Sequence, residues 1–337
     1  MTSISGRDGL KDCQMNFNNI SIVVYSDGDP GGCVRLLTSL ENTRLDDGSF
    51  EVLLVLQGVN EKVRSMLDDY HFSYELRLFP IDEPIGRARA RKQGVAEAKN
   101  EIILFLDIDL EVSPELLAAH RAAYANEKTA AVMGEVYLPE FVKKSRWFRY
   151  LDSDYRSTRR WRRQNSSETS PPLRYVNTAN FSIQKNIYEA HAEHSKKWEN
   201  HEAENIDMAY CIDALEMGDI RYEAEALAFC QHPGLKESLS AKYAFGRFGV
   251  PKLLETYPDL YSRLPSRFVK MEGFESVSPL FRVFISLIFT APVFFIARGL
   301  RILGPEFLAF RMMRYMLQYE SVRGVKDAVR DMRTERA

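Results

Sequence analysis

The stretch Glu101-Ile102-Ile103-Leu104-Phe105-Leu106-Asp107-Ile108-Asp109-Leu110 decides how this chain is read. Ile102 to Leu106 is an unbroken apolar run, the pattern of a short strand buried on both faces of a parallel sheet. The run leads straight into Asp107-x-Asp109. Alternate residues of an extended strand share a face, so both carboxylates leave the sheet on one side. Paired carboxylates at the C-terminal end of a buried strand suit a hard divalent cation, which takes oxygen ligands. That edge is also where ligands bind in open α/β sheets. A strand-end turn with solvated acids fits the same tripeptide, because short motifs recur by chance. The flanking sequence has to decide.

Upstream, strand and helix patterns alternate. Residues 20–25 read as a strand, followed by an Asp- and Gly-rich turn at 26–32 and a helical apolar pattern from Val34 to Leu40. Residues 51–56 and 74–79 read as strands, with a short helix at 61–70 between them. A helix over 87–98 carries Arg87, Arg89, Arg91 and Lys92 in its first turns. Cations there oppose the helix dipole, so either they face an anion such as a phosphate or they form a solvated face. Downstream, Ser113-Pro114 predicts an N-cap with Pro at the first position of a helix reaching about Asn126. Short connections between alternating elements predict a sheet flanked by helices.

After a strand at 130–137 the composition changes. Residues 143–163 interleave Lys and Arg with Trp147, Phe148, Tyr150, Tyr155 and Trp161, which fits either an anionic partner or a solvated loop. Tyr175 to Ile183 reads as a strand carrying Asn177, Thr178 and Asn180. Glu204 and Asp207 share a face, i and i+3, at the start of a helix. Acids there suit the dipole, and one beside a hydroxyl could act as a general base. A strand at 220–229 precedes His232, and then a helical segment with Tyr243, Gly246 and Arg247. Residues 283–297 are uncharged and flanked by Arg282, Arg298 and Arg301. The run is short of the ~20 residues of a spanning helix, and Pro292 is expected to kink it. A core helix, a short re-entrant hairpin and a helix lying in a membrane interface all fit it, and with a second apolar helix at 307–316 flanked by Arg the interfacial reading is preferred to the core.

The 337 residues suffice for one large or two modest domains. A net charge of −2 argues against a general nucleic-acid binder. Cys13, Cys33, Cys211 and Cys230 form no C-x-x-C pair and read as thiols of a reducing compartment. Residues 1–18 are polar, without the hydrophobic run of a signal peptide. The expected division is a polar segment at 1–18, a main domain at 19–250 and a helical, membrane-associated region at 251–337. The expected location is cytoplasmic, at the inner face of the cell membrane.

Taken together, Gly86-Arg87-Ala88-Arg89-Ala90-Arg91-Lys92-Gln93-Gly94 followed by Phe105-Leu106-Asp107-x-Asp109 resembles the family 2 glycosyltransferases of the GT-A fold, whose pattern is G-x-x-x-A-R-N-x-G, a spacer and F-L-D-x-D. Lys92 stands where Asn is usual. The resemblance covers about residues 19–250. It implies an α/β mixed sheet flanked by helices, with the C-terminal apolar helices as an extension. It implies a metal-dependent, inverting transfer from a UDP- or GDP-sugar to a glycan, lipid-linked or polysaccharide acceptor. Tyr25, Ser26, Asp27, Gln57, Gly86, Arg91, Asp107 and Asn180 would then line the nucleotide sugar; Gln57 replaces an Asp common in relatives. Asp109, Asp107 and His232 would hold Mg²⁺ or Mn²⁺. Glu204-Asn205-Ile206-Asp207 falls at the family's E-D-x-D, where the second residue is often the base. Asn205 cannot accept a proton, so Glu204 and then Asp207 are the candidates. A sugar nucleotidyltransferase and a degenerate transferase serving as a membrane-bound binding module are the rival readings.

Overall fold

The buried run is a strand, β4 (Ile102–Asp107), in the middle of an eight-stranded sheet of order β3-β2-β1-β4-β7-β6-β8-β5. This computed structural model describes residues 17–57, 63, 65, 67, 70–82, 85–164, 170–194, 204–230, 234–257, 283 and 286–335. β1 (Ile20–Ser26), β2 (Phe50–Gln57) and β3 (Glu75–Ile81) form with β4 a parallel half. In the other half β7 (Asn180–Gln184) runs antiparallel to β4 and to β6 (Thr129–Tyr137). β8 (Asp219–Cys230) lies parallel to β6, and the short β5 (Leu110–Val112) pairs antiparallel with β8. The expected mixed sheet flanked by helices is therefore the observed architecture.

In chain order we label the helices α1 (Pro30–Leu40), α2 (Gly86–Glu97), α3 (Leu116–Ala123), α4 (Arg146–Leu151), α5 (Ser157–Gln164) and α6 (Lys185–His194). They continue as α7 (Glu204–Ala214), α8 (Leu235–Ala244), α9 (Val250–Thr256), α10 (Ala291–Leu303) and α11 (Glu306–Glu335). Strand alternation sorts the core into two layers. Ile22, Val24, Leu104 and Leu106 pack with Leu36 and Leu37 of α1 and Leu116 of α3. Val23, Ile103 and Phe105 pack with Val95 of α2, Ile187 of α6 and Met208 of α7. Each such side chain contributes about 1.5–3 kcal/mol by leaving water. Gly94 sets how closely α2 approaches: a Cβ there would lie 2.5 Å from Val23 Cγ1.

Several local expectations are corrected. The strand expected over 175–183 begins only at Asn180, because the backbone before it is used otherwise. The Asn177 side chain accepts from the Ala179 amide at 3.1 Å, and the Thr178 carbonyl accepts from Arg91 at 2.8 Å. Ser113 does not cap α3, since its amide donates to the Leu227 carbonyl at 2.9 Å and the helix starts at Leu116. Pro292 does not kink a helix. It sits in the first turn of α10, where its missing N–H costs nothing. The aromatics of 143–163 are packing residues: Trp147 and Tyr150 are buried with Phe310 and Met313 of α11, and Trp161 stacks beside Tyr175 and Tyr222. Arg146 donates to the carbonyls of Arg301, Ile302 and Gly304, capping the end of α10. The helix expected at 61–70 and the segment 1–18 lie largely outside the described residues.

The Tyr243-x-x-Gly246-Arg247 signature docks α11. A Cβ on Gly246 would lie 2.1 Å from the Ser321 carbonyl oxygen, Tyr243 donates to Asp327 at 2.9 Å, and Arg247 pairs with Asp331 at 2.7 Å.

A polar chain crosses the sheet. The Asn180 amide nitrogen donates to the carbonyls of Glu135 and Ala226, so its oxygen accepts from His120 Nε2 at 2.8 Å. His120 Nδ1 then accepts from Ser182, whose oxygen accepts from Tyr124. Burial holds the His120 pKa down at about 4, against a partial upward pull from Asn180. The unfolded chain therefore binds a proton near pH 6.5 that the native state refuses. Stability contributed by neutral His120 is full above pH 6.5 and lost as pH falls toward 4, up to about 3 kcal/mol. Proton NMR is expected to show the His120 ring still neutral at pH 5. A ring titrating near 6.5 would refute the assignment.

Candidate active site

The parallel register brings the C-terminal ends of β1, β2 and β4 to one edge. Tyr25 lies opposite Asp107 on one side and Val55 on the other, with Gln57 closing β2. The Tyr25 hydroxyl donates to Gln57 Oε1, joining two of the expected nucleotide-binding residues directly. Next to them Ser26 accepts from the Gly28 amide at 3.2 Å, and Gly28 takes φ 104°, a left-handed turn that an L side chain resists. Asp29 caps α1 by accepting from Gly31. The helix start comes close to the acidic turn, since a Cβ on Gly32 would lie 2.9 Å from the Ile108 carbonyl oxygen.

α2 begins on the same edge. Gly86 has φ 72°, the residue at the N-cap is Ile85, whose side chain has no polar atom, and the first turn carries no acid. Arg91 is only 2% exposed and braces Asp107 from behind. It donates to Thr178 Oγ1 and the Thr178 carbonyl, both at 2.8 Å, and to Asp107 Oδ1 at 3.2 Å, while stacking on Phe105 at 4.8 Å. One helical turn earlier, Arg87 stands 3.7 Å from Asp107 Oδ2 with 44% of its side chain exposed. Of the two, Arg87 is the cation that faces solvent; the sequence grouped both with Arg89 and Lys92 at the helix start and named only Arg91 among the residues lining the nucleotide sugar. Spacing i,i+4 on α2 was the signal that could have found it.

Asp109 lies in the turn between β4 and β5. Burial raises its pKa above the ordinary carboxylate value, Asp107 raises it further, and a hydrogen bond from the Cys230 thiol opposes both. The thiol donates to Asp109 Oδ2 at 2.9 Å from the end of β8, a contact that nothing in the spacing of the sequence announced. A half-desolvated carboxylate next to a second one is an arrangement that a cation stabilises. Among the described residues no three His, Cys, Asp or Glu side chains converge closely enough to hold a metal alone. His232 lies outside the described residues. Two carboxylates fit a cation that takes its remaining oxygen ligands from phosphate and water, as Mg²⁺ commonly does.

The other expected site residues separate. Asn180 is 1% exposed and its amide is engaged in the polar chain described above. Asp207 is 0% exposed and pairs with His191 Nε2 at 2.7 Å, tying α7 to α6. Glu204 opens α7.

The central strand β4 of this mixed sheet thus carries Asp107 at its end and Asp109 in the turn after it, on the edge where α2 begins. The glycosyl transferase family 2 profile matches residues 16–191, more than half of the chain, and the protein belongs to that family of glycosyltransferases. It is 32% identical over 98 residues to the uncharacterized glycosyltransferase YfnE of Bacillus subtilis (strain 168), a match covering 29% of this chain and 25% of YfnE. Among solved structures it is similar to the mannosyltransferase PcManGT from Pyrobaculum calidifontis, in complex with GDP-Man and Mn²⁺. The TM-score is 0.55 at 12% identity, over 91% of this chain and 87% of that one, a likeness of fold. The S. aureus TarS fragment 1–349 in complex with UDP-GlcNAc gives 0.49 at 13% identity, over 93% and 92%. The sugar nucleotidyltransferase reading gives way to family membership.

Proposed function

We propose that the protein transfers a sugar from a UDP- or GDP-sugar to a hydroxyl of a glycan, lipid-linked or polysaccharide acceptor in cell-envelope synthesis, with inversion and with Mg²⁺ or Mn²⁺. The observation that carries this reading is the convergence of Asp107, Asp109, Tyr25 and Gln57 on the edge where α2 begins. The nucleotide would lie across Tyr25, Ser26, Asp27 and Gln57, with its diphosphate toward Gly86 and Arg87. Asp109 and Asp107, with His232 as a further ligand, would hold the divalent cation. Such a cation, when bound, neutralises charge developing on the leaving diphosphate. Arg91 keeps Asp107 in place and Arg87 adds positive charge at the helix start. Glu204 accepts the proton of the attacking acceptor hydroxyl, and Asp207 positions α7 from within. Buried thiols at Cys33, Cys211 and Cys230 fit a reducing compartment, and we place the enzyme at the inner face of the cell membrane.

Thermal unfolding with a panel of nucleotide sugars, with and without Mn²⁺, tests the donor class. One nucleotide is expected to raise the melting temperature only when metal is present, because a ligand that binds the native state alone stabilises it. Stabilisation by no nucleotide would leave only the degenerate binding module. Glu204→Gln is expected to keep that shift and lose transfer about 10²–10⁴-fold. Undiminished turnover would remove Glu204 as base.

A further inference from the structure

Eight of the twelve large apolar side chains that stand exposed among the described residues fall between Val283 and Phe307. Phe295 (64% exposed), Ile296 (62%), Ile302 (57%) and Leu303 (87%) lie on α10 at spacings i, i+1, i+7 and i+8, which is one helical face. Leu287 (66%) and Phe307 (54%) stand exposed in the chain just before and just after the helix. The opposite stripe is the anchored one: Ala297 is buried, and the Phe294 ring lies 4.6 Å from that of Tyr319 on α11. α10 thus has its inner side on protein and an apolar outer side on solvent, with Arg298 and Arg301 away from that outer stripe.

Charge narrows what can cover the outer side. No Asp or Glu occurs from Ser276 to Pro305, whereas Arg282, Arg298 and Arg301 do. Arg298 is exposed, and the first acid beyond the patch, Glu306, is already paired with Arg149 at 2.8 Å. A second copy of this chain would bring two faces rimmed by the exposed Arg298 together, which like charge disfavours. Anionic headgroups complement the same rim. A helix of 13 residues is ~20 Å long, short of the ~30 Å hydrocarbon core, and no described helix is long and apolar enough to cross a membrane.

We infer that the outer face of α10, with Leu287 and Phe307, inserts into the interface of a bilayer bearing anionic lipids. The inference does not depend on the chemistry proposed for Asp109. Sedimentation of the full chain with phosphatidylcholine vesicles, and with vesicles about one third phosphatidylglycerol, tests it. Wild type is expected to co-sediment with the anionic vesicles and more weakly with the neutral ones. The combined variant Phe295→Ser, Ile302→Ser, Leu303→Ser changes only exposed positions and is expected to keep its melting temperature while the partition coefficient falls at least about tenfold. Arg298→Glu is expected to lower binding to anionic vesicles about fivefold or more, and to leave neutral binding unchanged. Wild type remaining in the supernatant with both vesicles overturns the inference. So does a wild-type dimer, by light scattering, that vesicles do not dissociate and the triple serine variant does.

Discussion

Asp109→Ala is expected to lower sugar transfer about a thousandfold while leaving the protein as stable as wild type, or more so. Both halves follow from one position. A cation-dependent transferase stripped of a metal carboxylate loses charge stabilisation worth several kcal/mol in the transition state. For the folded protein the same carboxylate is a liability, since burial and Asp107 disfavour its ionised form by more than the Cys230 thiol, a backbone N–H and Arg35 favour it. Residues held this way at functional positions are where stability and activity trade against each other. Donor-dependent product formation with Mn²⁺, together with a melting curve, reads both. Full turnover in Asp109→Ala would remove the metal–diphosphate mechanism. A collapse in melting temperature would mean that the acid serves the fold instead.

Arg91→Met reverses that pattern and is the largest stability effect expected in the molecule. The guanidinium is almost wholly buried and serves the Thr178 hydroxyl, the Thr178 carbonyl and Asp107 at once. Methionine fills comparable space but leaves the carbonyl and the carboxylate unserved. Removing one partner of a fully buried ion pair costs about 3–5 kcal/mol. With Asp107 29% exposed, about 2–4 kcal/mol is the better expectation, or a melting temperature lower by about 5–10 °C. Arg87→Met, at an exposed position, is expected to stay within about 0.5 kcal/mol of wild type and to raise KM for the donor. If the two variants melt alike, the division between brace and contact is wrong.

The parallel half of the sheet was legible because its strands are buried on both faces and its helices carry regular spacing. In the other half the strands at 130–137 and 220–229 were legible as well, but β5 and the start of β7 were not. β5 is three residues long, and β7 starts late because Arg91 and Asn177 draw on the backbone before it. Those contacts span up to 87 positions, beyond any local pattern. In the site, Asp107 and Asp109 could be read from alternation along an extended strand. The depth of Arg91, Asn180 and Asp207 could not, because a polar residue in sequence looks the same whether it meets water or closes a buried network. The basic and aromatic residues of 143–163 show the same limit in reverse. They read as a surface for an anion, yet Trp147 and Tyr150 hold α11 and Arg146 closes α10.

α11 is thirty residues without a break, and it enters three separate cores. Near its start Phe310 and Met313 pack with Trp147 beneath the end of α10. Farther along, Val325 packs with Tyr210 of α7, the helix that Glu204 opens. The distance along the rod from Phe310 to Val325 is ~22 Å at the rise of an α-helix. A helix holds that spacing as a ruler would, where a flexible tether would let it wander. With α10 in a bilayer and Glu204 as the base, as proposed, the rod would fix the separation between the membrane contact and the helix that carries the base.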